Sequence, residues 1–168
     1  DQWNEGVENA TSISCVILLD NSGSMQGDKA TKSYRAMFSI KRALDKLGAD
    51  TSVFTFDTNV RTLYRADEKA SQTIRNGGTF GGTDPNSAIK VATKLLAESE
   101  RPVKIFFVIT DGEWEYRTLN DNHEMIDRLA NAGVLTAFAY IPEGDSIELN
   151  TETMHHCEVG AIVNNPLD

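Results

Sequence analysis

Ile13-Ser14-Cys15-Val16-Ile17-Leu18-Leu19-Asp20-Asn21-Ser22-Gly23-Ser24 is a nearly unbroken apolar run that stops on an acid followed by alternating hydroxyls. Such a run suits a strand buried on both faces, the environment of a central strand in a parallel sheet. Its polar tail then falls at the strand's carboxyl end. In open α/β sheets ligands bind beyond that end, where the strand order reverses.

On the C-terminal side, Tyr34, Met37, Phe38, Leu44 and Leu47 recur at helical spacing between Asp28 and Leu47, and Gly48 supplies a stop. Val53-Phe54-Thr55-Phe56 and Val60-Arg61-Thr62-Leu63-Tyr64, separated by Asp57-Thr58-Asn59, predict a hairpin with an antiparallel edge strand. A weak helical segment is expected around Ala66 to Arg75. The glycine-rich stretch from Asn76 to Pro85 ends with an Asp N-cap and a proline at the first helical position, and its helix carries Ala88, Val91, Ala92, Leu95 and Leu96 inward.

Val103-Lys104-Ile105-Phe106-Phe107-Val108-Ile109 is a second buried strand, halted at Thr110-Asp111-Gly112-Glu113. Asp121 and Glu124 are spaced like a capping box that starts the next helix, and Gly133 closes it. Val134 to Tyr140 reads as a strand, Ser146 to His156 as a short helix and Val159 to Val163 as the last strand. This alternation predicts an α/β fold: a three-layer doubly wound (Rossmann-like), mostly parallel six-stranded sheet with one antiparallel edge strand and helices on both faces. A single domain over 1–168 is expected, with residues 1–12 as an N-terminal extension.

The 25 Asp and Glu against 16 Lys and Arg give a net charge of −9, which repels phosphate backbones and argues against nucleic acid as a partner. Cys15 and Cys157 form neither a disulfide framework nor a metal-ligand spacing. The apolar runs are far shorter than the roughly 20 residues that span a bilayer. No secretory signal pattern is visible, and cytoplasmic residence is preferred over a secreted or cell-surface place.

Three segments deliver oxygen to one predicted sheet edge: Asp20, Ser22 and Ser24 after the first strand, Thr83 after the glycine-rich loop, and Asp111 after the strand ending at Thr110. Two carboxylates held close without a counterion repel, and a divalent cation removes that cost. Neutral hydroxyls beside them suit a hard octahedral ion such as Mg²⁺, with Mn²⁺ or Ca²⁺ as alternatives, and the lack of His or Cys there disfavours zinc. Taken singly, each segment is also an ordinary turn or helix start; the weight lies in their convergence.

Asp20-Asn21-Ser22-Gly23-Ser24-Met25 resembles the Asp-x-Ser-x-Ser signature of the von Willebrand factor type A family, and Gly81-Gly82-Thr83 and Ile109-Thr110-Asp111-Gly112 resemble its second and third motifs. The resemblance spans essentially the whole chain. It implies a metal-ion-dependent adhesion site built by Asp20, Ser22, Ser24, Thr83 and Asp111, in which an electrophilic ion takes an Asp or Glu carboxylate from a protein partner. An AAA+ ATPase assembly is one partner class that the resemblance implies.

Met25, Phe80 and Trp114 are the candidate partner contacts at the rim, with folding inward as their alternative, and Glu113 and Asp84 the candidate acceptors for ion-bound water, with helix capping the preferred role of Asp84. His155 and His156 are expected at the surface. The expected role is a non-enzymatic binding module. The alternatives are a Mg²⁺-dependent phosphohydrolase and a structural domain with a stabilising ion. For the hydrolase, a leaving-group acid two residues after Asp20 is required, but Ser22 stands there, and no buried lysine is evident as a phosphate clamp.

Overall fold

A computed structural model describes residues 12–70, 81–142 and 151–163. The chain runs β1 (Ile13–Asp20), a 3₁₀ turn (Gly23–Met25), α1 (Asp28–Lys46), β2 (Asp50–Phe56), β3 (Val60–Tyr64), α2 (Asn86–Glu98), β4 (Val103–Thr110), α3 (Tyr116–Asn131), β5 (Leu135–Tyr140), α4 (Thr151–His155) and β6 (Val159–Ile162). The six strands lie in the order β3-β2-β1-β4-β5-β6. Every neighbouring pair is parallel except β2 with β3. This is the expected doubly wound α/β sheet with one antiparallel edge strand.

The apolar alternation of β1 divides the interior. Cys15, Ile17 and Leu19 pack with Met25, Tyr34 and Met37 on the α1 face. Val16 and Leu18 pack with Ala88, Ile89, Ala92 and Leu96 of α2 and Ile126 and Leu129 of α3 on the other. Successive side chains of a strand point to opposite faces, so one apolar run serves two cores. The chain leaves β1 to build β2 and β3 on one side, then crosses to β4 on the other. Strand order reverses at β1, which places the carboxyl ends of β1 and β4 side by side at the switch point.

Some boundaries differ from the sequence reading. The segment 66–70 is turn and irregular rather than helix, and 71–80 lies outside the described residues. Helix α3 starts at Tyr116, so Asp121 and Glu124 sit inside it and cap nothing. Thr83 O accepts the Glu115 N–H at 2.9 Å, and this backbone contact anchors the entry to the helix earlier than the side-chain pattern indicates. Glu124 instead pairs with Arg128 at 2.6 Å, an i,i+4 contact on the exposed surface. Helix α2 starts at Asn86, just after the expected Pro85, while the Asp84 carboxylate still accepts the Asn86 N–H at 3.0 Å.

Within the expected Ser146 to His156 helix, Thr151–His155 is helical and 143–150 lies outside the described residues. His155 is exposed as expected. His156, however, stacks on buried His123 with ring centroids 4.1 Å apart and contacts Asp127 at 2.9 Å. Both cysteines are free. Among the described residues no helix is long and apolar enough to cross a membrane.

Candidate functional site

At the end of β1, Asp20 is 1% exposed and each of its oxygens has a fixed partner. Oδ1 accepts the Ser22 N–H at 2.9 Å and the Ser22 hydroxyl at 2.6 Å. Oδ2 accepts the Thr110 hydroxyl at 2.6 Å across to the end of β4. The Ser22 and Ser24 hydroxyl oxygens stand 3.2 Å apart, Ser22 buried and Ser24 exposed, so the row of oxygens runs from the interior to the surface. A serine hydroxyl that donates its proton to Asp20 keeps lone pairs for another electrophile.

Backbone contacts stitch the glycine-rich loop into this cluster. Gly23 N–H donates to Gly81 O at 2.8 Å, and a Cβ added at Gly23 meets that same carbonyl at 3.2 Å, which makes glycine the fitting residue there. Two residues on, buried Thr83 is tied by its own carbonyl to Glu115 in the loop after β4. Thr83 thus sits on a segment bonded to both of the other loops.

Asp111 is 3% exposed; its Oδ1 accepts the Glu113 N–H at 3.1 Å, and Oδ2 lies 3.3 Å from Lys29 Nζ. Gly112, at φ 78°, turns the chain sharply behind it. Thr110 is the junction of the site. Its hydroxyl accepts the Gly112 N–H and the Trp114 Nε1–H, both at 3.1 Å, and donates to Asp20. Burial pushes the Asp20 carboxyl up to about 6, the negative charge of Asp111 adds to the rise, and the hydrogen bonds from Ser22 and Thr110 oppose it. The two carboxylates therefore feel one another.

Of the three rim candidates, Met25 and Trp114 take the inward alternative. Met25 is fully buried in the α1 core, and Trp114 is 6% exposed, packed edge-on to Phe56 and against Phe138 beneath the site. Met25 ends the 3₁₀ turn and Trp114 sits in the loop after β4, and both find apolar cores directly below; Trp114 supports Thr110 from behind. Phe80 lies outside the described residues. Asp84 Oδ1 accepts Asn86 N–H and the Thr118 hydroxyl, which fits a helix-capping role. Glu113 is exposed.

Three residues escaped the sequence reading. Thr110 carried a signal, a hydroxyl ending a buried apolar strand. Tyr116, 91% exposed two residues after Trp114, is an aromatic side chain that does face solvent. Lys29 is half-buried at this edge, its ammonium 3.3 Å from Asp111 Oδ2. Among the described residues no group of three or more His, Cys, Asp or Glu is arranged to hold a metal; the candidate donors are two carboxylates and hydroxyls.

Residues 15–113 match the von Willebrand factor type A domain family, and the chain belongs to it. Domains of this family often serve protein–protein interaction or adhesion. The fold is similar to that of the conserved hypothetical protein BatB from Bacteroides thetaiotaomicron, at 18% identity, a TM-score of 0.67 and 91% coverage of each chain. A von Willebrand factor type A protein from Catenulispora acidiphila shares it at 21% identity and a TM-score of 0.69, over 92% of this chain and 39% of that one. Proximal thread matrix protein 1 from the mussel byssus, solved with a zinc-occupied adhesion-site motif, aligns at 15% identity and a TM-score of 0.66, over 90% of this chain and 41% of its own. No curated protein sequence matches the chain.

Proposed function

We propose that this domain binds a protein partner through one divalent cation, Mg²⁺ by donor chemistry, held by Asp20, Ser22, Ser24, Thr83 and Asp111. The observation that carries the reading is electrostatic. Asp20 and Asp111 are both buried at the adjoining ends of β1 and β4, and among the described residues the side chains bonded to them are the Ser22 and Thr110 hydroxyls and the Lys29 ammonium. Hard oxygen donors of this mixed kind suit a hard cation. When bound, the ion supplies a Lewis-acidic position for a partner's Asp or Glu carboxylate and a local positive charge that a chain of net charge −9 lacks.

This chain's own residues do the positioning. Ser22 and Thr110 fix the Asp20 carboxylate, the Glu113 N–H fixes that of Asp111, and Gly23, Gly81, Thr83 and Glu115 lock the three loops together through their backbones. Exposed Ser24 and Tyr116 give the partner its face. The reading is of a binder and not a catalyst, because Ser22 occupies the place at which an Asp nucleophile needs its acid. Capture of a partner from native lysate is expected with Mg²⁺, and to be lost with EDTA and with Asp20→Ala. Capture that survives both overturns metal-bridged recognition.

A further inference from the structure

Lys29 stands in an electrostatically awkward place. It lies in the first turn of α1, where the aligned peptide dipoles present their positive end and disfavour a cation. Gly27, the N-cap, brings no side-chain hydrogen bond to that end, and Asp28 is the acidic residue of the same turn. The contact that holds the ammonium is Asp111 Oδ2, 82 positions away in sequence, at 3.3 Å. That is long for a charge-assisted bond, and no second partner of Lys29 Nζ is found among the described residues. The side chain keeps a 12% opening to solvent and a flexible stem along which its head can move outward.

We propose that Lys29 is a displaceable internal counter-cation, which neutralises Asp111 in the ion-free domain, leaves that oxygen as a divalent cation enters, and so sets how tightly the site holds its ion. The proposal rests on the reading that these loops hold a cation. It accounts for the placement of a lysine in the first turn of its helix, with its head against a buried carboxylate. Two cations cannot share Asp111 Oδ2 without strong repulsion at the reduced dielectric of a closed loop cluster. Each ion that binds must therefore evict the ammonium.

Mn²⁺ binding followed by electron paramagnetic resonance, on the wild-type chain and on Lys29→Met, Lys29→Arg and Asp111→Asn, tests it. Lys29→Met is expected to bind Mn²⁺ about ten-fold more tightly than wild type, Lys29→Arg within about two-fold of it, and Asp111→Asn to bind poorly. Wild-type binding that needs Asp111, together with equal or weaker binding by Lys29→Met, overturns the role of Lys29 and leaves the cation site standing. Absence of Mn²⁺ binding in both the wild type and Lys29→Met overturns the two together.

A second measurement needs no variant. Acylation of the Lys29 amine, read by mass spectrometry on the wild-type chain, is expected to run several-fold faster with Mg²⁺ than with EDTA, because the evicted amine reaches solvent. Equal rates under saturating Mg²⁺ contradict the eviction.

Discussion

Charge is buried at both ends of this molecule, and the two burials are built differently. Below the α1 face, Lys41 is fully buried, and its ammonium donates to Asp45 Oδ1 at 2.9 Å, to Thr51 O at 2.9 Å and to Glu68 O at 2.6 Å. The ring of Tyr64 lies 5.4 Å from the same nitrogen, and the second Asp45 oxygen accepts Ala70 N–H at 2.8 Å. An ammonium has three protons and all of them are used. Charge is balanced one for one inside the chain. At the sheet edge, two carboxylates are buried, and among the described residues Asp111 meets the Lys29 ammonium at 3.3 Å while Asp20 is held by the Ser22 and Thr110 hydroxyls. The difference is one of charge balance: Lys41 and Asp45 form a closed set that holds the fold, whereas Asp20 at the sheet edge is met by hydroxyls alone among the described residues, which is the imbalance the proposed cation would relieve.

The largest expected effect breaks the closed side. Lys41→Met strands a buried carboxylate and two carbonyls, and it should lower stability by about 3–5 kcal/mol in denaturant unfolding. The loss should be the same with Mg²⁺ and with EDTA. A loss that Mg²⁺ repairs would show that the two regions are not separate.

The open side should respond to pH. Asp20 is raised in the folded chain from an ordinary value of 3.8 to about 6, so the folded state binds the extra proton. Its stabilising contribution is complete below 3.8 and is lost as pH rises through about 6. In EDTA the domain should therefore gain stability as pH falls from 7 towards 4, by roughly 2–3 kcal/mol from this group. Asp57 works in the opposite sense: burial alone would raise it, but bonds from Asn59 N–H and Arg61 hold it below the usual carboxylate range. Unfolding curves of wild type and Asp20→Asn across that window, compared pairwise, isolate Asp20. Parallel curves contradict the electrostatic picture.

The smallest effect sharpens the boundary between fold and site. Trp114→Phe removes the Nε1–H bond to Thr110 and some packing against Phe56 and Phe138, and about 1–2 kcal/mol should be lost. Because Trp114 acts from below, the response of the melting temperature to Mg²⁺ should remain. Loss of that response would give Trp114 a larger part than support.

How far the sequence was legible follows the range of the forces involved. β1 and β4 announced themselves because strands buried on both faces must be apolar at nearly every position, and their polar ends marked the sheet edge. The start of α3 did not, because Glu115 is held by Thr83 O, a backbone contact with no residue signature, while Asp121 and Glu124 imitated a cap they do not make. For Met25 and Trp114 the sequence left rim and interior both open, because their burial depends on cores assembled from distant strands and helices. Lys29 carried no signal in the sequence, because its partner lies 82 residues away. Local pattern reports the donors, and the fold alone reports what neutralises them.

Calorimetric titration of Mg²⁺ into the wild-type domain, Thr83→Ala and Asp111→Asn tests most directly whether the three loops form one cation site. Uptake of one ion per wild-type chain is expected, weakened by more than about ten-fold in each variant, a loss of at least 1.4 kcal/mol of binding free energy. Saturable uptake left unchanged by both substitutions, or none at all in the wild type, contradicts the account.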